Sequence, residues 1–190
     1  MNSKSWIIGM LLILSVICSA SLALVNIKTS PIIRKNAEIQ RMGIVLDAFH
    51  IKYNKNNTEE VINTYKNRVT ESEERGLKLF KEKESGATAI SLSGSGFQST
   101  ITIVVALKED TITGFKVVSQ NETPGLGARI VEDVFQNQFI GKKVDQGITF
   151  VKNAKAGQNQ FDAITGATES SKALVKILNS GFTAYFSTRK

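Results

Sequence analysis

The sequence predicts an α+β protein, with one N-terminal transmembrane helix followed by a single domain in which an antiparallel sheet is flanked by helices. Three observations predict this architecture. An uncharged apolar segment occupies residues 5–27, runs of β-branched residues lie in the middle of the chain, and amphipathic helical patterns lie on either side of them. The 190 residues suit one domain together with an anchor.

Residues 5–27 form the predicted membrane span. As an α-helix, these 23 residues reach about 34 Å, enough for the ~30 Å hydrocarbon core of a bilayer. Trp6 lies at one end, where indole rings prefer the membrane interface. A cleaved signal peptide is the alternative, because Lys4 precedes the apolar run and residues 21–23 resemble a cleavage site. The run exceeds the usual ~7–15-residue signal core, which favours a retained anchor.

Composition excludes several classes of function. The net charge is +7, but there is no basic helix, Arg-rich arm or interleaved aromatic–basic pattern, so we expect no nucleic-acid binding. Cys18 is the only cysteine and lies inside the apolar run, which excludes an internal disulfide, a CxxC redox pair and a cysteine metal site. The only histidine, His50, is expected to be solvated, and we expect no metal site.

The pattern along the chain predicts four segments. Residues 1–4 are a short N-terminal segment, 5–27 the transmembrane helix, 28–84 a membrane-proximal helical region, and 85–190 the sheet-containing domain. Pro31 is expected at the exit from the membrane.

The predicted domain contains three kinds of element. Residues 100–107 and 111–118 are β-branched runs separated by a short polar turn, which predicts an antiparallel hairpin. Residues 148–152 predict a further strand and residues 130–139 one short helix. Apolar residues between 174 and 185 recur at helical spacing and predict a second amphipathic helix.

The segment 162–171 (DAITGATESS) leads directly into this last helix. Taken alone it is a good helix start, in which Ser170 or Ser171 could cap and Gly166 allows a tight turn. Unpaired backbone N–H groups at a helix start also bind anions. Gly166 and Ala167 leave space for a bulky group, and Thr168 places a hydroxyl where a phosphate would lie.

The segment 122–127 (ETPGLG) follows the hairpin. Pro124 and Gly125 favour a tight turn, so an ordinary loop is one interpretation. The other is a loop whose exposed amides and small residues press against a flat ring. Since 40 residues separate the starts of the two segments, the fold would have to bring them together.

The order of span, hairpin, ETPGLG, Phe-Ile-Gly-Lys at 139–142 and DAITGATESS resembles a known family. It is similar to the FMN-binding subunits of ion-translocating redox complexes, namely the G subunit of the Rnf complex and, next, the C subunit of the sodium-translocating NADH:quinone reductase. The flavinylation motif of that family reads Asp-x-x-Ser/Thr-Gly-Ala-Thr. Every fixed position is matched here, by Asp162, Thr165, Gly166, Ala167 and Thr168.

The resemblance implies that residues 85–190 are an FMN-binding domain and that Thr168 carries FMN covalently, through a phosphoester that a separate flavin transferase makes from FAD. It implies a single-pass protein of the cell inner (cytoplasmic) membrane, with residues 1–4 as a short cytoplasmic N-terminus and an extracytoplasmic C-terminal domain. It also implies other membrane subunits of the redox complex as partners. The other candidate cofactor-binding residues are Asp162, Thr165, Gly166, Ala167, Ser170, Glu122, Thr123, Gly125, Leu126 and Gly127.

The predicted function is therefore that of an electron-transfer subunit of an Rnf-type ferredoxin:NAD+ oxidoreductase. The sequence has no nicotinamide fingerprint or nucleophile–base pair, so we do not expect catalysis by the isolated chain. The alternatives are the C subunit of a Na+-translocating NADH:quinone reductase, a membrane-anchored FMN sensor module, and a structural protein in which DAITGATESS only starts a helix.

Residues 85–88 (Ser-Gly-Ala-Thr) also match the Ser/Thr-Gly-Ala-Thr core of the motif and form a decoy, because they offer a second candidate threonine, Thr88. The residue six positions before Thr88 is Glu82 rather than Asp, and the residues that follow favour a strand. A threonine in a strand lacks the convergent amides of a helix start. The sequence therefore favours Thr168 over Thr88.

Overall fold

The computed structural model describes residues 3–152 and 154–188 and divides the chain into two compact units, residues 1–40 and 41–190. The first unit consists of helix α1, Ser3–Ala48, up to residue 40. Helix α1 is long and apolar enough to cross a membrane, and its most apolar stretch has a mean hydropathy of 2.6. Pro31 lies inside α1 and does not end it, although an interior proline removes one N–H donor from a helix and its ring crowds the carbonyl group four residues earlier.

The second unit begins with the last turns of α1, in which Val45, Leu46 and Ala48 are fully buried. After a short loop, helix α2 spans Thr58–Arg68. Asn57 caps α2, since its side-chain oxygen accepts hydrogen bonds from the Glu59 and Glu60 amides at 3.1 and 3.2 Å.

A five-stranded antiparallel sheet follows in the order β1-β2-β3-β4-β5. The strands are Val69–Glu74, Leu77–Glu82, Thr88–Ser95, Thr100–Lys108 and Thr111–Ser119. The predicted hairpin at 100–118 is formed by β4 and β5. This architecture confirms the predicted α+β class with an antiparallel sheet.

The prediction that residues 28–84 are helical is wrong for β1 and β2. In β1, only Val69 is buried and the other five residues are exposed. This strand forms one edge of the sheet, so it carries charged residues and lacks the alternation of apolar and polar residues that identifies a half-buried strand.

The remaining elements complete the core. The predicted helix at 130–139 is instead a short helix, α3 (Asp133–Gln136), between two 3-10 segments, Gly127–Val131 and Asn137–Phe139. Strand β6, Thr149–Val151, lies within the predicted strand and pairs in parallel with β7, Gln160–Asp162.

Helix α4, Thr168–Thr188, packs on the sheet and confirms the predicted C-terminal helix. Its buried Leu174, Leu178 and Phe182 join the sheet residues in one hydrophobic cluster. The packing of α4 against β3 fixes the start of this helix relative to the loops at the end of the sheet.

The end of α1 lies directly against β5 at Gly114. A Cβ added to Gly114 would overlap the backbone carbonyl oxygen of Ala48, and His50 Nε2 lies 2.8 Å from the carbonyl oxygen of neighbouring Thr113. Backbone atoms cannot move aside as a flexible side chain can. The absence of a side chain at Gly114 is therefore required for this contact.

We expect Gly114→Ala to lower the free energy of unfolding by about 1–3 kcal/mol, because α1 and β5 must separate to make room for the methyl group. Urea titration of the detergent-solubilised protein, followed by near-ultraviolet circular dichroism, measures this change. Gly157→Ala is the matched control, since its nearest neighbour is the flexible end of Gln160 at 3.1 Å. Equal midpoints for the two variants would contradict the prediction.

Candidate functional site

The two sequence segments 122–127 and 162–171 meet at one hydrogen bond. The Ser170 hydroxyl donates to Glu122 Oε2 at 2.8 Å. Both residues are almost fully buried, with exposures of 3% for Ser170 and 4% for Glu122. The fold thus joins the start of α4 to the loop that follows β5.

Glu122 also holds a third segment, the turn between β3 and β4. Its carboxylate accepts hydrogen bonds from three consecutive backbone amides, those of Phe97, Gln98 and Ser99, at 3.3, 3.0 and 3.2 Å. Burial raises the pKa of the Glu122 carboxyl. The hydrogen bonds from Ser170 and from these amides lower the pKa, and together they outweigh the effect of burial. The net result is a pKa below the usual value, so the group is a carboxylate at neutral pH.

Glycines allow the two motif segments to approach each other. A Cβ on Gly127 would collide with Ser170 Oγ and with the Glu122 side chain. Gly166 has a φ of +82°, a conformation that side-chain-bearing residues rarely adopt, and a Cβ there would lie 3.0 Å from Leu126 Cδ2. The close contact between the loop and the helix start depends on these two positions.

Helix α4 begins at Thr168. Within the described residues, the backbone N–H groups of Thr168, Glu169 and Ser170 have no hydrogen-bond acceptor. The Glu169 carboxylate is directed to Lys172, whose Nζ lies 2.7 Å away. The first turn of α4 therefore presents free amide donors to an anion.

The predicted capping role of Ser170 or Ser171 is wrong. Both residues lie inside α4, and their hydroxyls point to other partners. Ser170 binds Glu122, whereas Ser171 Oγ accepts from the Ile164 amide at 3.3 Å and donates to the Ala167 carbonyl at 3.2 Å. Thr168 differs from both serines, since its hydroxyl has no hydrogen-bond partner in the described part of the chain.

A groove of about 250 Å³ lies where these segments meet. Predicted residues that line it include Thr123, Leu126, Gly127, Gly166, Ala167, Thr168 and Ser170, and they are joined by Phe97 and Glu169. The lining thus combines small residues, Gly127, Gly166 and Ala167, with the first residues of α4. Small residues leave room for a bulky group, and the amides at a helix start can bind a phosphate.

Asp162 and Thr165, although predicted as site residues, line a neighbouring groove of about 170 Å³ together with Arg129 and Glu132. The backbone of Asp162 is held by Gln138, whose Oε1 accepts from the Asp162 amide at 2.7 Å. Gly125, at the exposed tip of the loop, lines neither groove. The structure therefore brings most, but not all, of the predicted residues around Thr168.

Phe97 is a residue of the groove that the sequence reasoning missed. It lies in a glycine- and serine-rich turn between two strands, outside both motifs. Phe97 is 64% exposed and lines the groove that contains Thr168. The one sequence signal is an aromatic residue in an otherwise polar turn, which identifies no partner.

The decoy residue Thr88 lies in a different setting. It is the first residue of β3 and pairs with both neighbouring strands. The preceding turn closes around the buried Glu82, which accepts hydrogen bonds from backbone amides of that turn and pairs with Arg68 at 3.0 Å. Burial raises the pKa of Glu82, but these hydrogen bonds lower it to about 2. The Ser-Gly-Ala-Thr sequence at 85–88 thus forms a structural turn that leads into β3.

Comparison with known proteins agrees with this geometry. Residues 96–183, which contain both motifs and Phe97, match the model of the FMN-binding domain family. These residues form an FMN-binding domain. The resemblance recognised in the sequence is confirmed.

Several curated proteins are similar to this FMN-binding domain and its surroundings. The G subunit of the Na+-translocating ferredoxin:NAD+ oxidoreductase complex of Acetobacterium woodii is 37% identical over 93 residues, which cover 48% of this chain and 44% of that protein. The G subunit of the ion-translocating oxidoreductase complex of Methanosarcina acetivorans is 46% identical over 88 residues, 45% of this chain and 44% of that protein. This chain thus matches about half of the length of these relatives.

Solved structures support the fold. The crystal structure of the C subunit of the Na+-translocating NADH-quinone reductase from Parabacteroides distasonis has a TM-score of 0.69 to this chain at 24% identity. The match covers 80% of this chain and 92% of that one. The fold of the FMN-binding domain and its sheet is therefore shared with that protein.

The residues of the groove fit FMN. The amides at the start of α4 are donors for a phosphate, and the small residues Gly127, Gly166 and Ala167 leave room beside them. Phe97 and Leu126 offer apolar side chains for a ring. The negative charge of Glu122 is already satisfied by amides and by Ser170, so it is not an unpaired charge at the phosphate end.

We expect Glu122→Gln to lower the free energy of unfolding at pH 7 by about 2–3 kcal/mol, because one of the two acceptor oxygens becomes an NH2 group that cannot accept from Phe97 or Ser170. The pKa of Glu122 is lower in the folded state. The stabilisation that comes from the ionised Glu122 is therefore fully present above the unfolded-state pKa of about 4.3, and it is lost as the pH falls through the lower folded-state pKa.

The difference in stability between wild type and Glu122→Gln should consequently shrink below about pH 4.3. Denaturant titrations of both proteins across that range measure this difference. The effects of the other carboxylates are the same in both proteins and therefore cancel. A difference that stays constant or grows in acid would contradict the assigned ionisation of Glu122.

Proposed function

We propose that this chain is the electron-transfer subunit of a membrane-bound, ion-translocating oxidoreductase of the Rnf type, corresponding to its G subunit, and that it carries FMN as a phosphoester on Thr168. The observation that carries the proposal is the position of the Thr168 hydroxyl. It has no protein partner among the described residues, and it belongs to the first residue of α4, beside three unpaired amides and in a groove within the FMN-binding domain.

The covalent link is made by transfer from FAD, catalysed by a separate flavin transferase. The Thr168 oxygen bonds to the phosphorus on the riboflavin side of the FAD pyrophosphate, and the bond from that phosphorus to the bridging oxygen breaks. AMP leaves with that oxygen, and the hydroxyl proton passes to a base of the transferase or to water. No electrons are exchanged in this step.

The residues of this chain then retain and orient the cofactor. The amides of Thr168, Glu169 and Ser170 would donate hydrogen bonds to the phosphate. Gly127, through its lack of a side chain, lets the loop lie against Ser170. When bound, FMN accepts electrons and passes them on, so the chain supplies position and retention rather than catalytic groups.

The apolar part of α1 anchors the protein as a single span in the cell inner (cytoplasmic) membrane, with residues 1–4 in the cytoplasm and the FMN-binding domain outside it. Its partners are the other membrane subunits of the redox complex. Support for the Rnf-type assignment comes from relatives named as G subunits at 37% and 46% identity.

A second candidate function is that of the C subunit of a Na+-translocating NADH:quinone reductase, which the structural likeness at a TM-score of 0.69 favours. Copurification from native membranes distinguishes these complexes by the subunits that accompany the chain. A membrane-anchored FMN sensor would copurify with neither set.

We expect Thr168→Ala to abolish covalent flavin, because no oxygen remains to form the phosphoester. The chain is coexpressed with a flavin transferase and analysed by intact mass and by ultraviolet fluorescence of a denaturing gel at its mass of 20.8 kDa. Thr88→Ala is the matched control and should load as wild type does. Loss of flavin in Thr88→Ala with retention in Thr168→Ala would overturn the assignment.

The same intact-mass measurement on membrane-extracted protein tests the anchor, since a cleaved signal peptide would remove the N-terminal segment. For orientation, we expect a cysteine introduced at the exposed Lys108 of a Cys18→Ser protein to react with a membrane-impermeant maleimide on intact spheroplasts. The Cys18→Ser protein alone is the control. Labelling of Lys108→Cys only after lysis would place the domain in the cytoplasm.

A further inference from the structure

We propose that Phe97 is the side chain that packs on the flavin ring, and that Glu122 is the positioning residue that fixes the Phe97 turn beside the groove. This inference rests on the proposed function, because its occupant is the FMN tethered to Thr168. It adds a segment, residues 96–99, that belongs to neither sequence motif.

Phe97 is exposed to solvent and lies at the groove. The residue is 64% exposed, and it lines the groove that also contains Thr168, Gly166 and Ala167. A flat aromatic ring inserted between these small residues and Phe97 would remove apolar surface from water on both partners. The small residues provide the space, and Phe97 provides an aromatic face.

A second apolar side chain borders the same groove. Leu126 is 43% exposed and belongs to the loop after β5, whereas Phe97 belongs to the turn after β3. A Cβ added to Gly166 would lie 3.0 Å from Leu126 Cδ2, so the Leu126 side chain packs close to the residues that lead into α4. The groove thus combines two apolar side chains with the amides of α4, which matches a ligand with a ring and a phosphate.

The Phe97 turn is ordered without help from the Phe97 ring. The carboxylate of Glu122 accepts from the amides of residues 97–99. Within the turn, the Gly96 amide donates to the Ser99 carbonyl at 2.7 Å, and the Ser99 hydroxyl accepts from the Asn121 amide at 2.8 Å. Removal of the ring should therefore leave the backbone of the turn in place.

Glu122 links this turn to the tether. The oxygen that accepts from the Phe97 amide, Oε2, also accepts from the Ser170 hydroxyl in the first turn of α4. Phe97 and Thr168 are thus held at fixed positions relative to one another through a single carboxylate. A cofactor that is bonded to Thr168 would meet the Phe97 ring in a defined geometry.

The test uses full-length, flavinylated protein in detergent. Phe97→Ala should keep the covalent flavin by intact mass, but its flavin should be quenched by iodide at least roughly twofold more strongly than in wild type and should show a lower fluorescence anisotropy, because the stacked neighbour is lost. Phe97→Tyr should behave as wild type does. If Phe97→Ala fails to load, Phe97→Leu, which lacks the ring but keeps an apolar side chain, is measured in the same way.

Val134→Ala is the matched control. Val134 is 82% exposed but lines the neighbouring groove rather than the one that contains Thr168. It should leave both readouts unchanged.

Two outcomes would overturn the role of Phe97 while leaving the proposed function intact. One is a loaded variant without the ring, Phe97→Ala or Phe97→Leu, that is indistinguishable from wild type. The other is an equal change in Val134→Ala. Wild-type protein without the added mass of FMN would overturn the proposed function itself, and the role of Phe97 with it.

Discussion

The candidate site depends on one buried carboxylate. Glu122 is enclosed by the protein, and an uncompensated charge in such a place would be strongly destabilising. It is compensated by three consecutive amides of the β3–β4 turn and by the Ser170 hydroxyl. Three segments that are far apart in the sequence therefore share one acceptor group. If any of them moves away, a buried polar group loses its partner, so the walls of the groove are fixed together.

This arrangement leaves the surface of the groove to small residues and backbone. Because the Ser170 hydroxyl donates to Glu122, neither group competes for a ligand. In the described part of the chain, the first three amides of α4 and the Thr168 hydroxyl are among the donors that stay free beside them. Gly127 makes the contact possible, since any side chain there would occupy the space of the Ser170 hydroxyl and of Glu122. The polar groups that hold the segments together are thus different from the amides that stay free at the start of α4.

The sequence predicted those parts of the fold in which the pattern of side chains is governed by burial on one face. The β4–β5 hairpin and α4 have such patterns, and the structure contains both. Strand β1 escaped prediction because it forms a sheet edge with charged residues on both faces. The capping role of Ser170 was wrong because its hydroxyl bonds to Glu122, 48 positions away. Phe97 was also missed because a contact between distant residues decides its position: the turn that contains it reaches the two motifs only in the folded chain, through Glu122.

The size of the groove bears on why a covalent bond would be useful. Its volume of about 250 Å³ is below the ~300–1,000 Å³ of pockets that enclose small ligands. A flavin in such a groove would be only partly covered, and contacts alone would hold it weakly. A tether at Thr168 would make the local concentration of the ring independent of affinity, by the same logic that strengthens linked binding modules. The groove would not need to enclose the ring, and part of the ring would stay exposed to any partner that exchanges electrons with it.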